Sequence, residues 1–330
     1  MHSIHRGLIS RGVDVQVLAD ISSVGMAYQI FEDVPIWGVN FPLLPRRVLR
    51  PSTIQSWVRL KNISRLIKRN MGQIGLIQIT PFRESSLWGF WLSRDLNVPW
   101  VARIACSGSY GDFNYVSKYM SRNWLVNKLI PRVFGSCSTV VSLDQETYRE
   151  AIGNGIRRDR VVIIPNGIIL SKLPQIEEAT NVPEKGILLF LGRISFQKRL
   201  GDVLKAYAIC KQKQSEASKR FMPILNIVAG GETADLKGLA SQLGIEENVI
   251  FCGHHDDVTK FLNQALCTIS ASESEGMPNA VLEACAYGVP GILSDIHIHR
   301  EIAEHTGMTE FLFPVGDEKQ LAERIFRSRC

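Results

Sequence analysis

The chain has 330 residues, 45% of them hydrophobic and 21% charged, with a formal net charge of +6; that is an ordinary soluble composition, long enough for two α/β domains with cores of their own. No apolar run approaches the roughly 18 residues of a membrane span and the first residues lead into no secretory signal, so the expected location is cytoplasmic. The 7 cysteines form no Cys-x-x-Cys pair and fall mostly in apolar runs, which reads as reduced core thiols rather than a disulfide framework.

Charge is unevenly placed. Residues 34–83 contain no Asp or Glu, while Arg46, Arg47, Arg50, Arg59, Lys61, Arg65, Lys68, Arg69 and Arg83 make that stretch strongly basic.

Taken in order, residues 2–11 read as the end of a helix stopped by Gly12, and Val13, Val15 and Val17 alternate as a strand. Residues 31–45, with three prolines, read as a loop. Residues 52–70 read as a helix with Leu60, Ile63 and Ile67 on one face and Lys61, Arg65, Lys68 and Arg69 on another. That basic face, with Arg59, is either solvated decoration or a foot for an anionic membrane surface or lipid-phosphate acceptor, which would place the protein peripherally at the inner face of the membrane. Its helix carries one aromatic, Trp57, which fits nucleic-acid binding poorly.

A βαβ rhythm follows: strand 75–80, helix 85–96, strand 99–105, then the polar loop 106–112. Strand 140–143, a helix from Asp144 and the strand and turn 161–167 complete a first domain. Residues 171–185 are polar and Pro-containing, as a linker should be. A second βα series begins with strand 186–191 and runs through strands 225–229, 249–252, 265–269, 291–294 and 311–313. Loops fall after each: Gly192 to Arg199, Gly230-Gly231-Glu232, Gly253-His254-His255-Asp256-Asp257, and residues 271–278. Adjacent histidines on an extended loop point apart, so neither His254-His255 nor His297 with His299 reads as a metal site.

The most informative stretch is 272–283, a strand-loop-helix junction. Gly276 and Pro278 shape the loop, Asn279 is suited to cap the helix, and the amides of the first turn favour an anion. Glu275 places a carboxylate at that mouth, and Glu283 is expected about two turns down the helix. A carboxylate can accept two sugar hydroxyls, so two of them beside a phosphate-attracting helix end suggest a sugar-nucleotide site. The plainer alternative is a surface acid at a helix start and a solvated Glu.

Glu-Gly-Met-Pro-Asn-x-x-x-Glu at 275–283 resembles the Glu-x7-Glu signature of retaining GT-B glycosyltransferases of family 4, the glycosyl transferases group 1. Gly192-Arg193 with Lys198 resembles the family's Gly-Arg-x-x-x-x-Lys element. The resemblance runs from about residue 4 to 325 and is strongest over 187–302. It implies two Rossmann-like doubly wound domains facing a central cleft: 1–170 on the acceptor side, a linker at 171–185, and 186–330 binding the donor. The implied activity is transfer of a hexosyl group from a nucleotide-diphosphate sugar (UDP- or GDP-linked) to a saccharide or lipid-linked acceptor with retained configuration. Envelope or exopolysaccharide synthesis is the usual context, and no bound metal or cofactor is expected.

By the same resemblance Arg193 and Lys198 stabilise the departing diphosphate, Glu275 positions the hexose and Glu283 holds the ribose, with Arg193, Lys198 and Glu275 as the catalytic set. Gly192, Gly231, His254, Gly276, Met277, Pro278 and Asn279 complete the donor-binding set, His254 toward the base. Three departures stand out. The family's opening strand and glycine loop are expected to be missing before the first helix, its sugar-facing His has no counterpart near 106–112, where Ser107, Ser109 or Asp112 are the available substitutes, and its closing helices are expected to be missing. A silent GT-B remnant that binds nucleotide without transfer is therefore the alternative. A nicotinamide dehydrogenase is disfavoured because no Gly-x-Gly-x-x-Gly follows a strand.

Overall fold

The computed structural model describes residues 2–20, 28–31, 33–39, 51–83, 85–116, 118, 131–168, 186–217 and 222–328. The chain divides into two units, Met1–Ser107 with Gly111–Ile164, and Gly108–Tyr110 with Pro165–Cys330. The expected linker 171–185 lies outside the described residues, as do Arg46, Arg47 and Arg50.

In the first unit, helix α1 (His2–Ile9) ends in a turn in which Gly12 takes φ 79° and the Val13 amide donates to the Leu8 carbonyl at 3.1 Å. That bond takes the amide a strand would need, so the strand expected from Val13 starts later, as β1 (Val17–Asp20). Of residues 31–45, expected as loop, residue 31 and residues 34–39 lie in strands, while 32 and 40–45 fall outside the described residues. Strands β2 (Tyr28–Phe31) and β3 (Val34–Val39) pair antiparallel around Asp33 at φ 67°. Strand β3 also pairs parallel with β1, but only over residues 36–39, so Pro35 opposes β2 alone and its missing amide costs no bond to β1.

Helix α2 (Pro51–Asn70) starts on a proline, whose absent N–H would be unpaired there anyway. Its two faces are as expected: Leu60, Ile63 and Ile67 are buried, and Arg59, Lys61, Arg65, Lys68 and Arg69 are exposed. Ile63, Ile67 and Met71 pack with Leu92 of helix α3 (Ser85–Leu96). Between these helices the Asp95 carboxylate accepts from Ser64 and from Lys68, the latter at 3.1 Å.

A parallel sheet of four strands follows, ordered β4 (Ile77–Ile79), β5 (Trp100–Arg103), β6 (Thr139–Ser142) and β7 (Val161–Ile163). A short helix α4 (Asp112–Tyr115) follows β5, and α5 (Gln145–Gly153) joins β6 to β7, capped by Asp144, which accepts from the Thr147 amide at 2.7 Å. Asp112 is fully buried. Its carboxylate accepts from the amides of Ala105 at 2.7 Å and Phe82 at 3.3 Å and from Arg83 Nε at 2.7 Å. It ties the loops after β4 and β5 together, so it is not available to stand in for a sugar-facing histidine.

The second unit is a six-stranded parallel sheet. Its strands are β8 (Ile187–Arg193), β9 (Leu225–Gly230), β10 (Val249–Gly253), β11 (Ala265–Ser270), β12 (Gly291–Ser294) and β13 (Leu312–Phe313). Both faces of the central strand are covered, which explains its unbroken apolar run. Leu188 and Phe190 pack on one face with Val203, Leu204 and Tyr207 of α6 (Leu200–Ala217). Leu189 and Leu191 pack on the other with Phe261 and Leu262 of α8 (Thr259–Leu262) and Ala284 of α9 (Asn279–Ala286). Helix α7 (Ala234–Gln242) lies between β9 and β10 in the chain, and α10 (His297–Thr306) between β12 and β13.

After β13 the chain forms a last helix, α11 (Glu318–Arg327), which belongs to the second unit. Asp317 caps it by accepting from the Gln320 amide at 2.9 Å, and Leu321, Ala322 and Ile325 enter the core with α6. The spatial order is β10-β9-β8-β11-β12-β13. Chain direction across the sheet reverses between β8 and β11, and in such sheets the crevice beyond the carboxyl ends of those two strands is where ligands bind. Among the described residues no helix is long and apolar enough to cross a membrane. Cys106, Cys137, Cys210, Cys252, Cys267 and Cys285 are free thiols.

Candidate functional site

Two loops rise from the strand ends at that reversal, one from β8 and one from β11. The β8 loop makes a single turn at Phe196–Lys198 and then places Arg199 in the left-handed region, φ 48°, before α6 begins. The turn directs Lys198 toward the β11 loop, where its ammonium group forms an ion pair with Glu275 Oε1. The pair is largely shielded, with side-chain exposures of 18% and 10%. The Ser272 hydroxyl donates to the same carboxylate oxygen at 2.6 Å.

Further links lace the loops together. The Gln197 side-chain amide donates to the Ser274 carbonyl, and the Gln197 carbonyl accepts from the Glu273 amide at 2.9 Å. Arg199 bonds Asp202 at 2.6 Å and reaches Glu273 at 3.5 Å. These contacts offset the strain of a non-glycine residue in a left-handed conformation and hold Lys198 and Glu275 in a fixed relation.

Around the pair, Gly192 adopts φ 151°, and a Cβ there would lie 3.8 Å from Lys198 Cε. Gly231, at φ 130°, is packed so closely that a Cβ would meet Ile194 Cβ at 2.9 Å. Arg193 is exposed at the end of β8, and its guanidinium has no side-chain partner among the described residues. It is a cation held at a strand end with its donors open to an anion. His254 follows β10 with its ring beside Gly230, and its Nε2 lies 3.1 Å from Asp256 in an exposed setting. His255 turns instead to the Phe261 ring, with centroids 5.0 Å apart, so the two histidines diverge as expected. Among the described residues no cluster of three His, Cys, Asp or Glu side chains is arranged to hold a metal ion.

The helix after Glu275 differs in detail from expectation. Pro278, not Asn279, occupies the capping position, and its carbonyl accepts from the amides of Val281 and Leu282, both at 3.0 Å. Asn279 is the first helical residue, and its side-chain oxygen accepts from Asn166 at 2.7 Å. Glu283 therefore sits about one turn into α9 rather than two, half-buried, because Gly276 to Pro278 are spent on the loop. Gly276 and Pro278 are buried and Met277 packs partly against the cluster around Val281 and Leu293.

The structure thus joins Lys198 to Glu275 directly and leaves Arg193 out of that pair. Sequence reasoning missed Gln197, Ser272, Ser294 and His299, which hold the Glu275 loop from behind. The hydroxyls spaced at 270, 272 and 274 were the available signal.

Residues 1–172 match the family described as Glycosyltransferase Family 4. The chain belongs to that family. Residues 173–327 match the companion family Glycosyl transferases group 1. Among curated relatives of this family 4 chain, the O-antigen biosynthesis glycosyltransferase WbnH of Escherichia coli is 30% identical over 161 residues, 48% of this chain and 42% of the relative. The amylovoran biosynthesis glycosyltransferase AmsK of Erwinia amylovora is 25% identical over 202 residues, 60% of this chain and 49% of the relative. The aligned part spans about half or less of the curated relatives' own length. Among solved structures, Anabaena Alr3699/HepE in complex with UDP and glucose aligns with a TM-score of 0.67 at 16% identity, covering 89% of this chain and 76% of that one. This likeness establishes the fold of the family 4 chain as GT-B, built from two Rossmann-like units.

Proposed function

We propose that this chain transfers a hexosyl group from a nucleoside diphosphate sugar to a saccharide or lipid-linked acceptor, with retention of configuration, in the synthesis of an envelope or exported polysaccharide. The observation that carries the reading is the shielded Lys198–Glu275 pair at the strand-order reversal of a six-stranded parallel sheet. Family membership, the named roles of WbnH and AmsK in polysaccharide synthesis, and the UDP and glucose bound by HepE support it.

In this reading residues 186–330 bind the donor and 1–170 serve the acceptor. Arg193 contributes a planar fork and Lys198 a point charge to the diphosphate, and both act most strongly as negative charge grows on the leaving group. No metal is required, because two cations at the site supply the charge. Glu275 accepts hydroxyls of the hexose and fixes its anomeric carbon toward the acceptor, while Glu283 accepts the ribose hydroxyls. Gly231 and Gly192 let backbone come close to the phosphates, and His254 lies toward the base. Retention without a protein nucleophile follows if the acceptor attacks on the face the leaving group departs from.

The test is turnover of a donor panel, UDP-glucose, UDP-galactose, UDP-N-acetylglucosamine and GDP-mannose, followed as released nucleoside diphosphate. One donor is expected to be hydrolysed, with E275Q and R193A at least about a hundredfold slower. Nucleotide binding without turnover of any donor by the wild type would instead favour a silent GT-B remnant.

A further inference from the structure

His299 is fully buried, takes no part in the donor site as described, and yet lies three hydrogen bonds from Glu275. It is the third residue of α10, and its ring reaches Ser270 and Ser294, the last residues of β11 and β12. Its Nδ1 lies 2.9 Å from the Ser294 carbonyl, which can only accept, so Nδ1 carries the proton and Nε2 presents a lone pair. Nε2 faces the Ser270 hydroxyl at 3.5 Å. The Ser294 hydroxyl, 3.1 Å from Nδ1, donates to the Ser272 carbonyl at 2.6 Å. Ser272 in turn donates its own hydroxyl to Glu275 Oε1 at 2.6 Å.

The path from imidazole to carboxylate is therefore short and directional, and Ser272, Ser294 and His299 are all fully buried. The Ser270 and Ser272 hydroxyls lie 3.3 Å apart, but with their protons directed to Nε2 and to Glu275 they pack against each other rather than hydrogen-bond. Hydroxyls are rotors and a loop after a strand is free to drift. A ring imidazole anchored at both nitrogens removes that freedom at low entropic cost, since it has only two side-chain torsions to fix.

We propose that His299 is a positioning residue for Glu275, a role that rests on the assignment of Glu275 to the donor sugar. It holds Ser294, Ser294 clasps the Ser272 backbone, and Ser272 sets the carboxylate against Lys198 where the sugar is gripped. Burial keeps the imidazole neutral, with its pKa pushed down to about 4 despite the opposing pull of the Glu275 charge. The neutral ring is the form that can accept from the Ser270 hydroxyl at Nε2 while donating to Ser294 from Nδ1.

Wild type, H299L, H299N, S294A, E275Q and the H299L/E275Q double variant are compared for turnover of the panel donor that the wild type hydrolyses, and for UDP affinity by calorimetry. Asn can present an N–H where Nδ1 stood, so H299N is expected to retain most of kcat. H299L and S294A are expected to lose about tenfold to a hundredfold in kcat, the scale of a small misplacement of a reacting group, with KM and UDP affinity changed less than about twofold. The double variant should be no slower than E275Q alone, because His299 has nothing left to position. H299L at the wild-type rate, losses that multiply in the double variant, or UDP affinity falling in step with kcat would each overturn the positioning role. If H299L does not fold, S294A carries the same expectations. E275Q slow with S294A and H299L normal overturns this role alone; E275Q at full rate, or no donor turned over by the wild type, overturns the sugar assignment and this role with it.

Discussion

Lys198 and Glu275 stand 77 residues apart in the chain and meet as an ion pair at the ends of adjacent parallel strands. With side-chain exposures of 18% and 10% the pair is neither a surface bridge nor a fully buried one. Removing one partner leaves a shielded charge unmatched, whereas removing both does not. K198M is expected to destabilise the protein by about 2 kcal/mol, between the ranges for surface and buried pairs. The K198M/E275Q double variant should recover at least about half of that loss. Urea unfolding of the four proteins closes the cycle, and additive losses would mean that the two side chains do not interact.

Asp112 performs a different kind of work, closing the strand ends of the first unit with two backbone amides and Arg83. D112A should cost about 3 kcal/mol in denaturant unfolding, since it orphans two amides in a buried setting. R83A, which removes a partner one-third exposed, should cost about 1 kcal/mol or less.

His299 makes stability depend on pH in a defined window. Its folded pKa of about 4 lies below the ordinary 6.5, with burial as the main cause and with Glu275 and Lys198 as the charged groups acting on it. The unfolded chain therefore takes up the proton first as pH falls. The stabilisation is present in full above about pH 6.5 and is lost progressively down to about pH 4. Unfolding free energy measured across that window should rise more steeply with pH in the wild type than in H299N. Parallel curves would show that the imidazole does not titrate there.

Gly231 tests how closely backbone must approach the ligand. A Cβ at this residue meets Ile194 Cβ at 2.9 Å and forces φ away from 130°. G231A is expected to lose about 1–3 kcal/mol of stability. It should also weaken UDP binding by about tenfold or more, and wild-type affinity in the variant would remove Gly231 from the donor site.

The basic face of α2 is the one expected to serve as a foot for an anionic membrane surface. Lys61, Arg65 and Arg69 are exposed, whereas Lys68 is engaged with Asp95, so the first three are the residues to reverse. K61E/R65E/R69E should abolish co-sedimentation with vesicles containing anionic lipid, at about 1 kcal/mol per basic residue removed. Equal sedimentation of variant and wild type would reduce this face to a solvated one.

What could be read from the residues followed a physical line. Strand β8 was legible from its apolar run and the loop around Glu275 from the glycine and proline in it, whereas Arg193 and Lys198 stood out only through the resemblance to the family's Gly-Arg-x-x-x-x-Lys element. The pairing of β2 with β3 was not legible, since Pro35 reads as a breaker until the register shows that it lies outside the stretch of β3 paired with β1. Helix α11 was obscured by charge, its apolar face being only Leu321, Ala322 and Ile325. The Ser272, Ser294 and His299 network depends on the register that sets Ser270 of β11 opposite Leu293 of β12, and no spacing along the chain encodes that.

The most direct test of the donor site is calorimetry of the wild type and R193A with UDP, GDP and NAD. A nucleoside diphosphate site at the ends of β8 and β11 predicts saturable binding of UDP or GDP, none of NAD, and a loss of about tenfold or more in R193A, whose open guanidinium has no other partner to satisfy among the described residues. Binding of NAD in preference to both, or R193A binding as tightly as the wild type, would contradict it.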